Sequence, residues 1–470
     1  MPAERLARTA PPTPVGIVHL GLGAFFRAHG AIYVEEAMAA SGGAWGVLGV
    51  SLQSPVTRDR LAPQGGTYTA LELGPEGDAA RHVQSVQGAL VAREDPVAVL
   101  EAMAAPGVRI VSLTVTEKGY RHAPSTGRLN VDDPDIARDM ANPAPVTAPG
   151  FLVRALALRR ARSLRPFTVL CCDNLPGNGR VVREATLDLA RRIEPGLADW
   201  ISAEGRFPAT MVDRIVPATK PEDLLRVAAL TGRADAAPVV HEPFRQWVVE
   251  DDFVDGARPD FAAAGVELVA DVTAHEHMKL RMLNGAHSAL AYLGFLAGRE
   301  TVADAVADPA LARFARRLWA EEIIPCVAPP PGVRLDAYAA ALFARFANPA
   351  IRHLTWQIAM DGSQKLPQRI LDTVAANLAA GRPFPRLALA LAAWSLYVRG
   401  VDLAGAPIDV RDPMAVRLRD AATGPRPVEA LLGVREIFPP DLACALAPKL
   451  EAARAVLLAR GVAGALETLT

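Results

Sequence analysis

Residues 16–29 read GIVHLGLGAFFRAH, and this stretch decides the predicted fold. Its first six residues form a short apolar run typical of a buried strand. Gly21 and Gly23 follow at the end of the run, and a helix is predicted from about Gly30. Glycines between a strand and a helix let a pyrophosphate approach the backbone, so the stretch predicts a dinucleotide-binding turn. Phe26 replaces the third glycine of the usual fingerprint, and a simple strand–helix turn is the alternative.

Short apolar runs alternate with helical patterns through the first two-thirds of the chain, which favours a parallel sheet covered by helices. Three runs resemble the first and are predicted as strands: residues 45–52, 108–115 and 167–172. After about residue 272 the pattern changes to Ala- and Leu-rich helices interrupted by proline. We therefore predict an α/β protein, with a Rossmann-type N-terminal domain with a mainly parallel sheet (1–272) and a mostly α-helical C-terminal domain (273–470).

Composition excludes several classes of function. The 470 residues include 50 basic and 51 acidic side chains. The chain therefore has no net positive charge that would attract nucleic acid or an anionic membrane. Four cysteines are too few for a disulfide framework, and no apolar run approaches the ~20 residues that span a bilayer. The N-terminal residues lack the apolar core of a signal peptide. These features predict a cytoplasmic enzyme acting on a small molecule, and they leave its oligomeric state open.

Residues 275–290 carry the densest set of reactive side chains. At ~100° per residue, Glu276, His287 and Asn284 fall within ~140° of Lys279 on one side of a helix. A carboxylate, an amine, an amide and an imidazole on one arc suit a site that faces a cleft, whereas a solvated helix face is the alternative. Lysine is also rare in this chain, with five among 50 basic residues: Lys118, Lys220, Lys279, Lys365 and Lys449.

A second polar segment, residues 173–179 (DNLPGNG), follows the predicted 167–172 strand. Ligands of open α/β sheets bind at the carboxyl ends of strands, so Asn174 is a candidate donor to a substrate oxygen. A turn-forming role for this asparagine is the alternative. With Lys279 as proton donor and two asparagines holding the oxygen, the residues permit carbonyl–alcohol interconversion by hydride transfer.

The sequence predicts no metal site, because no cluster of Cys or His residues has a suitable spacing. His275 and His277 are two residues apart and point to different sides of a helix. The residues alone leave the choice between NAD and NADP open. No acidic residue ends the predicted 45–52 strand, and Arg58 beyond it is a candidate for binding a 2′-phosphate.

These segments resemble the mannitol dehydrogenase family of polyol-specific long-chain dehydrogenases. The matching stretches are IVHLGLGAFFRAH (17–29), SLTVTEKGY (112–120), CCDNLPGNG (171–179), TMVDRIVP (210–217), EPFRQWVVED (242–251), MKLRMLNGAHS (278–288), TWQIAMDGSQKLPQR (355–369) and GVDLAGAPIDVRDPM (400–414). The resemblance implies a Rossmann-type domain followed by a mostly helical one, NAD as the cofactor and catalysis without a metal.

The resemblance also implies roles for individual residues. Lys279 corresponds to the catalytic lysine, Asn174 and Asn284 to the oxygen-binding asparagines, and His287 to the substrate-side histidine. Glu276 corresponds to a glutamate implicated in proton passage. Asp213 is the aspartate of the MVDR motif and is expected on the substrate side. The residues expected to bind the cofactor are Gly21, Gly23, Ala24, Phe25, Phe26, Thr116 and Glu117.

Within the family, the segments TVTEKGY, EPFRQWVVED and DGSQKLPQR are similar to those of the uronate-reducing members. This similarity implies NAD(H)-dependent interconversion of D-fructuronate and D-mannonate, with the epimer tagaturonate left open. A uronate has a carboxylate, and Arg245, Lys365 and Arg369 are cations placed in motifs that could bind it. Arg245 discriminates best, since related polyol-type sequences can lack it. The alternatives are a polyol 2-dehydrogenase acting on mannitol or arabinitol, and a protein that binds NAD without turnover.

Overall fold

The computed structural model describes residues 4–122 and 128–469, apart from the side chain of Glu117. The described residues form two compact units, which divide between Thr273 and Ala274. The assignment of cofactor binding to the first unit and of catalysis to the second remains a prediction.

A five-stranded, all-parallel sheet forms the centre of the first unit. Its strands, in chain order, are Val15–Leu20, Gly46–Ser51, Val86–Val91, Ile110–Leu113 and Thr168–Cys171. Numbered in that order, they lie in the sheet as 3-2-1-4-5. This is the strand order of a dinucleotide-binding half, so the predicted Rossmann-type α/β fold is confirmed.

The central strands are apolar on both faces because helices or loops cover both sides of the sheet. Val18 and Leu20 enter one hydrophobic core, whereas Ile17 enters a second core. Val111 and Ile110 of the fourth strand divide in the same way. Alternation between two buried faces explains why these segments are continuous apolar runs.

The third strand, Val86–Val91, is absent from the sequence prediction. Its sequence VQGALV has Gln87 and Gly88 inside it, and an antiparallel hairpin precedes it. The remaining strands of the first unit form small sheets beside the main one: Glu4–Arg5, Tyr68–Gly74, Gly77–Val83, Thr210–Asp213, Arg233–Ala234, Val239–His241, Gln246–Glu250 and Glu267–Val269.

The helix after the glycine turn begins earlier than predicted. A short helix, Ala24–Ala28, follows Gly23 directly. The helical conformation is interrupted at His29, and a second helix, Gly30–Ser41, begins after it. The other helices of this unit are Val56–Leu61, Pro96–Ala104, Pro134–Ala141, Ala148–Ala161, Asn178–Ile193, Pro195–Glu204 and Pro221–Thr231. Short 3₁₀ turns occupy Ala62–Gln64, Glu117–Tyr120, Val254–Gly256 and Ala262–Ala264.

The second unit is helical, as predicted, and one hydrophobic core runs through it. Its α-helices are Thr273–Met278, Ala286–Leu296, Val302–Ala307, Pro309–Arg317, Leu335–Phe346, Thr355–Ala359, Gly362–Leu366, Asp372–Ala379, Pro385–Tyr397, Ala415–Thr423, Pro427–Leu432 and Pro440–Glu467. Three segments are π-helical, Lys279–Gly285, Leu318–Ile323 and Pro367–Leu371, and Ile324–Cys326 is a 3₁₀ turn. In the described part of the chain, no helix is long and apolar enough to cross a membrane.

Candidate active site

The glycine turn lies at the carboxyl end of the first strand and lines an open cleft. Gly21 has φ +93°, and a Cβ atom there would lie 2.1 Å from the carbonyl oxygen of Thr114, so this position requires glycine. The cleft has a volume of about 610 Å³. Its lining combines the turn with residues that follow the second and fourth strands: Gly21, Leu22, Gly23, Ser51, Leu52, Gln53, Ser54, Thr57, Thr114, Val115, Thr116, Lys118, Gly119, Arg121, Val146, Thr147 and Ala148.

His19 anchors the strand beneath this turn. Its Nδ1 atom lies 2.9 Å from Ser112 Oγ, and its Nε2 atom lies 2.9 Å from Thr114 Oγ1. Complete burial lowers the pKa of His19 to about 3, so the ring is neutral. Phe26 stacks on this imidazole, with ring centroids 3.4 Å apart. The Phe26 side chain therefore packs inside the unit, and the cleft lining does not include it.

The other residues expected to bind the cofactor lie in different positions around the turn. Gly21, Gly23 and Thr116 line the cleft. Ala24 and Phe25 are half-buried in the first helical turn and are not among the lining residues. The backbone of Glu117 begins a 3₁₀ turn, and its side chain lies outside the described residues.

A buried carboxylate that sequence reasoning missed holds the backbone of two residues that line the cleft. Asp173 accepts hydrogen bonds from the backbone N–H groups of Val115 (2.9 Å) and Thr116 (3.0 Å) and from the Tyr120 hydroxyl (2.5 Å). Burial raises the pKa of this carboxyl, and the three donors oppose that shift. The signal in the sequence was adjacency, since Asp173 directly precedes the candidate Asn174, which is exposed.

In the second unit, Lys279 begins the π-helical segment that ends at Gly285. The predicted arc assumed ~100° per residue throughout, and that assumption is wrong here because hydrogen bonds of a π-helix join residues five apart. In this geometry Lys279 and Asn284, at positions i and i+5, are closer in direction than an α-helix would place them. The amine and the amide thus share a side of the helix more closely than the α-helical spacing predicted.

Three of the predicted polar side chains in this helix are buried: Lys279 is 6% exposed, Asn284 7% and His287 7%. Within the described residues, Asn284 Nδ2 and His287 Nε2 have no hydrogen-bond partner. Buried polar atoms are normally satisfied, and leaving one unpaired costs about 1–3 kcal/mol. These two atoms are therefore suited to contact a polar ligand. Glu276, one turn before Lys279, is half-buried.

His287 is surrounded by aromatic rings and cations. Its ring stacks on Phe346 with centroids 4.9 Å apart and meets His353 edge-on at 4.6 Å. Burial lowers the pKa of His287 well below its ordinary value, and nearby positive charge lowers it further. The neighbouring groups that disfavour its protonated form are the His353 imidazole and the cations Arg369, Arg345 and Lys365. Sequence reasoning missed His353 and Arg345, which lie outside the recognised motifs.

Arg369 and Lys365, both predicted to bind substrate, are half-buried in this region of the second unit. Arg369 Nη1 lies 3.3 Å from Ser288 Oγ, and Lys365 Nζ donates to the carbonyl oxygen of Met360 at 2.6 Å. Gly285 lies against the backbone of Arg369, because a Cβ atom at Gly285 would be 2.6 Å from the Arg369 carbonyl oxygen. The two π-helical segments therefore touch at a position that only glycine can occupy without displacement.

Asp213 and Arg245, the other predicted substrate residues, belong to the first unit. Asp213 is buried at the end of its strand. The Arg245 guanidinium forms an ion pair with Glu36 at 2.5 Å and lies 4.3 Å from the centre of the Tyr33 ring. The cation that discriminates best by sequence is thus already paired with a carboxylate. Among the described residues, no group of three or more His, Cys, Asp or Glu side chains is arranged to hold a metal ion.

The first unit has a 3-2-1-4-5 parallel sheet with a glycine turn, and the helical second unit has a buried lysine, asparagine and histidine. These features together define a dehydrogenase of the Rossmann-type class. Residues 15–262 match the mannitol dehydrogenase Rossmann domain, and residues 271–453 match the mannitol dehydrogenase C-terminal domain. The chain belongs to the mannitol dehydrogenase family, whose members are oxidoreductases that act on CH–OH groups.

Individual relatives extend over nearly the whole chain. D-mannonate oxidoreductase of Escherichia coli (strain K12) is 48% identical over 434 residues, which cover 91% of this chain and 89% of that protein. Mannitol 2-dehydrogenase of Pyrenophora tritici-repentis (strain Pt-1C-BFP) is 43% identical over 436 residues, 91% of this chain and 76% of that protein. The solved ternary complex of Pseudomonas fluorescens mannitol 2-dehydrogenase with NAD and D-mannitol has a TM-score of 0.89 and 39% identity, and covers 100% of this chain and 97% of that one.

These comparisons confirm the predicted family, the fold class and the class of oxidoreductase, and they agree with NAD as a cofactor of the family. The chain is a polyol or sugar-acid dehydrogenase.

Proposed function

We propose that this protein interconverts D-fructuronate and D-mannonate with NAD(H), using Lys279 as the general acid and base. The observation that carries the proposal is the buried group of Lys279, Asn284 and His287, in which the Asn284 amide and the His287 ring each keep a polar nitrogen without a partner among the described residues. A sugar oxygen bound there would give these atoms the partners that burial otherwise denies them. The 48% identity to a D-mannonate oxidoreductase supports the same substrate.

The glycine cleft fits a dinucleotide. The positive φ of Gly21 and the absence of any side chain at Gly23 let a pyrophosphate approach the backbone. Gly21, Gly23 and Thr116 would line the bound cofactor, with Asp173 fixing the backbone at Thr116. When bound, NADH supplies the hydride that reduces the ketone carbon. Cytoplasmic location and absence of a catalytic metal remain part of the proposal.

Lys279 carries the proton in this reaction. In the direction of reduction, its ammonium group gives a proton to the ketone oxygen as the carbon receives two electrons and one hydrogen, which leaves an alcohol and a neutral amine. In oxidation, the neutral amine takes the hydroxyl proton back. Burial disfavours the charged form of an amine, which suits a group that must exist in both states. Glu276, one turn away, is proposed to pass the proton to solvent.

The two asparagines would hold the oxygen while its charge changes. Asn284 follows Lys279 by five residues in the π-helical segment, which brings the two side chains closer in direction, and we propose that both contact one oxygen atom. An N–H donor directed at an oxygen that gains negative charge stabilises the transition state more than the ground state. Asn174 belongs to the first unit, and its role rests on its match to the family motif.

Positive charge around His287 favours an anionic sugar. Lys365, Arg369 and Arg345 contribute positive charge at this imidazole, while the imidazole itself stays neutral. A carboxylate is attracted to such a region, and Arg369 has the planar geometry for two parallel hydrogen bonds to it. Arg245 remains a candidate, although a substrate carboxylate would compete there with Glu36. Asp213 is proposed to accept hydrogen bonds from sugar hydroxyls.

A neutral polyol is the second candidate substrate, because the solved relative with 39% identity binds D-mannitol. A panel of substrates separates the two. Purified protein with NADH should reduce D-fructuronate, with tagaturonate as the epimer control, at a kcat/KM far above that for fructose. Reduction of fructose with fructuronate left untouched would overturn the proposal. NADH binding without turnover of any keto-sugar would indicate a non-catalytic protein instead.

A further inference from the structure

We propose that this chain also accepts NADP(H), with the adenosine 2′-phosphate bound by Arg93 and Arg138. The inference rests on the proposed cofactor role of the glycine cleft, and it adds a phosphate-binding position that the family's NAD chemistry does not require. Its basis is a second cavity in the first unit, where two arginines that have no partner in the described part of the chain lie next to the expected position of the adenosine ribose.

The second cavity continues the glycine cleft. It has a volume of about 480 Å³ and shares Leu52, Gln53 and Val146 with the lining of the cleft. A dinucleotide whose pyrophosphate lies at the glycine turn extends its adenosine toward the end of the second strand. That strand ends at Ser51, so we expect the adenosine ribose beside Leu52 and Gln53. Because Leu52 and Gln53 also line the second cavity, we expect the 2′-oxygen of this ribose beside that cavity.

The residues at the end of the second strand do not favour a free 2′-hydroxyl. NAD-selective domains of this type place an aspartate or glutamate at the end of the second strand, where it binds the hydroxyl and repels a 2′-phosphate. Here that segment reads SLQS over residues 51–54 and has no acidic side chain. A 2′-phosphate thus meets no carboxylate from this segment.

Two arginines supply positive charge to the second cavity. Arg93 comes two residues after the third strand, and Arg138 lies on the helix Pro134–Ala141. Both are exposed, and neither guanidinium forms a hydrogen bond or ion pair within the described residues. An arginine without a protein carboxylate keeps its full capacity to bind a phosphate through two parallel hydrogen bonds.

The carboxylates near this cavity are already engaged. Asp135, which lines it, pairs with Arg121 at 2.6 Å. Asp95 accepts the backbone N–H of Ala98 at 2.9 Å as a helix cap. Glu94 binds Arg58, and this contact also explains why Arg58 is a poor phosphate ligand.

Arg58 was the cation that the sequence offered for a 2′-phosphate, and its surroundings argue against that role. Its guanidinium contacts the carboxylates of both Asp59 and Glu94. It is not among the residues that line either cavity. Arg58 therefore serves as the matched control, since it lies nearby with the same charge but is occupied by protein carboxylates.

The test measures binding without turnover. Calorimetric titration of the full-length protein with adenosine 2′,5′-bisphosphate and with 5′-AMP should give tighter binding of the bisphosphate by about tenfold or more. The Arg93→Ala/Arg138→Ala variant should lose this preference, whereas Arg58→Ala should keep it. NADH affinity, followed by fluorescence, should be unchanged in all three proteins. High salt should weaken binding of the bisphosphate more than it weakens binding of 5′-AMP.

Equal affinity for the two nucleotides in the native protein would overturn the inference, as would a preference that survives loss of both arginines. Inorganic phosphate that displaces the bisphosphate at comparable concentration would identify a general anion site, which also contradicts it. Failure of NADH itself to bind would instead contradict the proposed cofactor site. The two failures are therefore distinguishable.

Discussion

Lys279 and Asn284 lie five residues apart in a π-helical segment, so their side chains project from the same side of the helix. In an α-helix the same two residues would differ by ~140° in direction. Several contacts accompany this local geometry. Trp319 Nε1 donates a hydrogen bond to the carbonyl oxygen of Met282 within the segment at 2.8 Å, and Gly285 contacts the backbone at Arg369. π-Helical turns are rare and are frequent at functional sites, which agrees with the proposed role of this pair.

Replacing Lys279 by methionine should abolish most of the activity while leaving the fold intact. Methionine keeps the length and the apolar stem of lysine but has no proton to transfer. We expect kcat for keto-uronate reduction to fall by about 10²–10⁴-fold, the usual contribution of a general acid. Stopped-flow measurement of NADH oxidation gives kcat, and NADH fluorescence titration should show unchanged cofactor affinity.

Lys220→Met is the control for this substitution, because Lys220 is an exposed residue at the start of a surface helix. It should retain full activity. If Lys279→Met kept more than about a tenth of native turnover, another group would have to supply the proton.

Gly285→Ala should disturb the active site through backbone packing. The added methyl group would be 2.6 Å from the carbonyl oxygen of Arg369, so one of the two π-helical segments must move. Overpacking of this kind costs about 1–3 kcal/mol, which chemical denaturation can measure. We also expect a fall in kcat, because the same movement changes the positions of Asn284 and Arg369.

Gly424→Ala in the same unit is the matched control, since its nearest contact would be an ordinary 3.5 Å from the Asp420 carbonyl oxygen. This variant should be close to native in stability and turnover. A Gly285→Ala protein with native kcat would show that the close contact has no part in positioning these groups.

Arg369→Met should weaken binding of an acidic sugar selectively. Loss of one of the cations near His287 should raise KM for D-fructuronate by about tenfold or more, since hydrogen bonds to a carboxylate are among the stronger ones. The effect on KM for a neutral ketose should be much smaller. Arg352→Met, which removes an exposed arginine paired with Glu300, provides the control. Equal changes for acidic and neutral substrates would argue against carboxylate binding by Arg369.

The sequence predicted those parts of the molecule that local patterns determine. The Val15–Leu20 and Ile110–Leu113 strands are continuous apolar runs, because both of their faces are buried. Such runs can be predicted as strands without knowing which strands they pair with. The Val86–Val91 strand was missed because its glycine and glutamine hide the pattern. Its place in the sheet comes from pairing with the second strand, which is a non-local contact.

The candidate site likewise has parts that the sequence predicted and parts that it did not. Lys279, Asn284 and His287 were predicted because they share one helix and one motif. The π-helical geometry was not predicted. It coincides with contacts to Trp319 and Arg369, and these two residues lie tens of positions away in the sequence. Arg245 was selected for its charge alone, and its partner Glu36 is 209 residues away in the chain. Asp173 went unnoticed because its role is to hold the backbone at Val115 and Thr116, which no spacing reveals.

Buried neutral histidines should make the protein sensitive to acid. Burial lowers the pKa of His19, His29 and His241 to about 3, and that of His353 to about 4. In the unfolded chain each would titrate near 6.5. Between these values only the unfolded chain takes up the proton, so each histidine removes about 1.4 kcal/mol of folding stability per pH unit as the pH falls below about 6.5. Above pH 6.5 the contribution of these groups is constant.

Urea unfolding at pH 7.5, 6.0 and 5.0 measures this dependence through the free energy of unfolding. His19→Asn should be less stable than the native protein at pH 7.5, because the contacts to Ser112 and Thr114 are lost. Its stability should nevertheless decline less steeply below pH 6.5, by about 1.4 kcal/mol per unit. The exposed His277 serves as the control, and His277→Gln should keep the native slope. An unchanged slope in His19→Asn would mean that His19 accepts its proton in the folded protein, which contradicts its neutral, hydrogen-bonded place beneath the glycine turn.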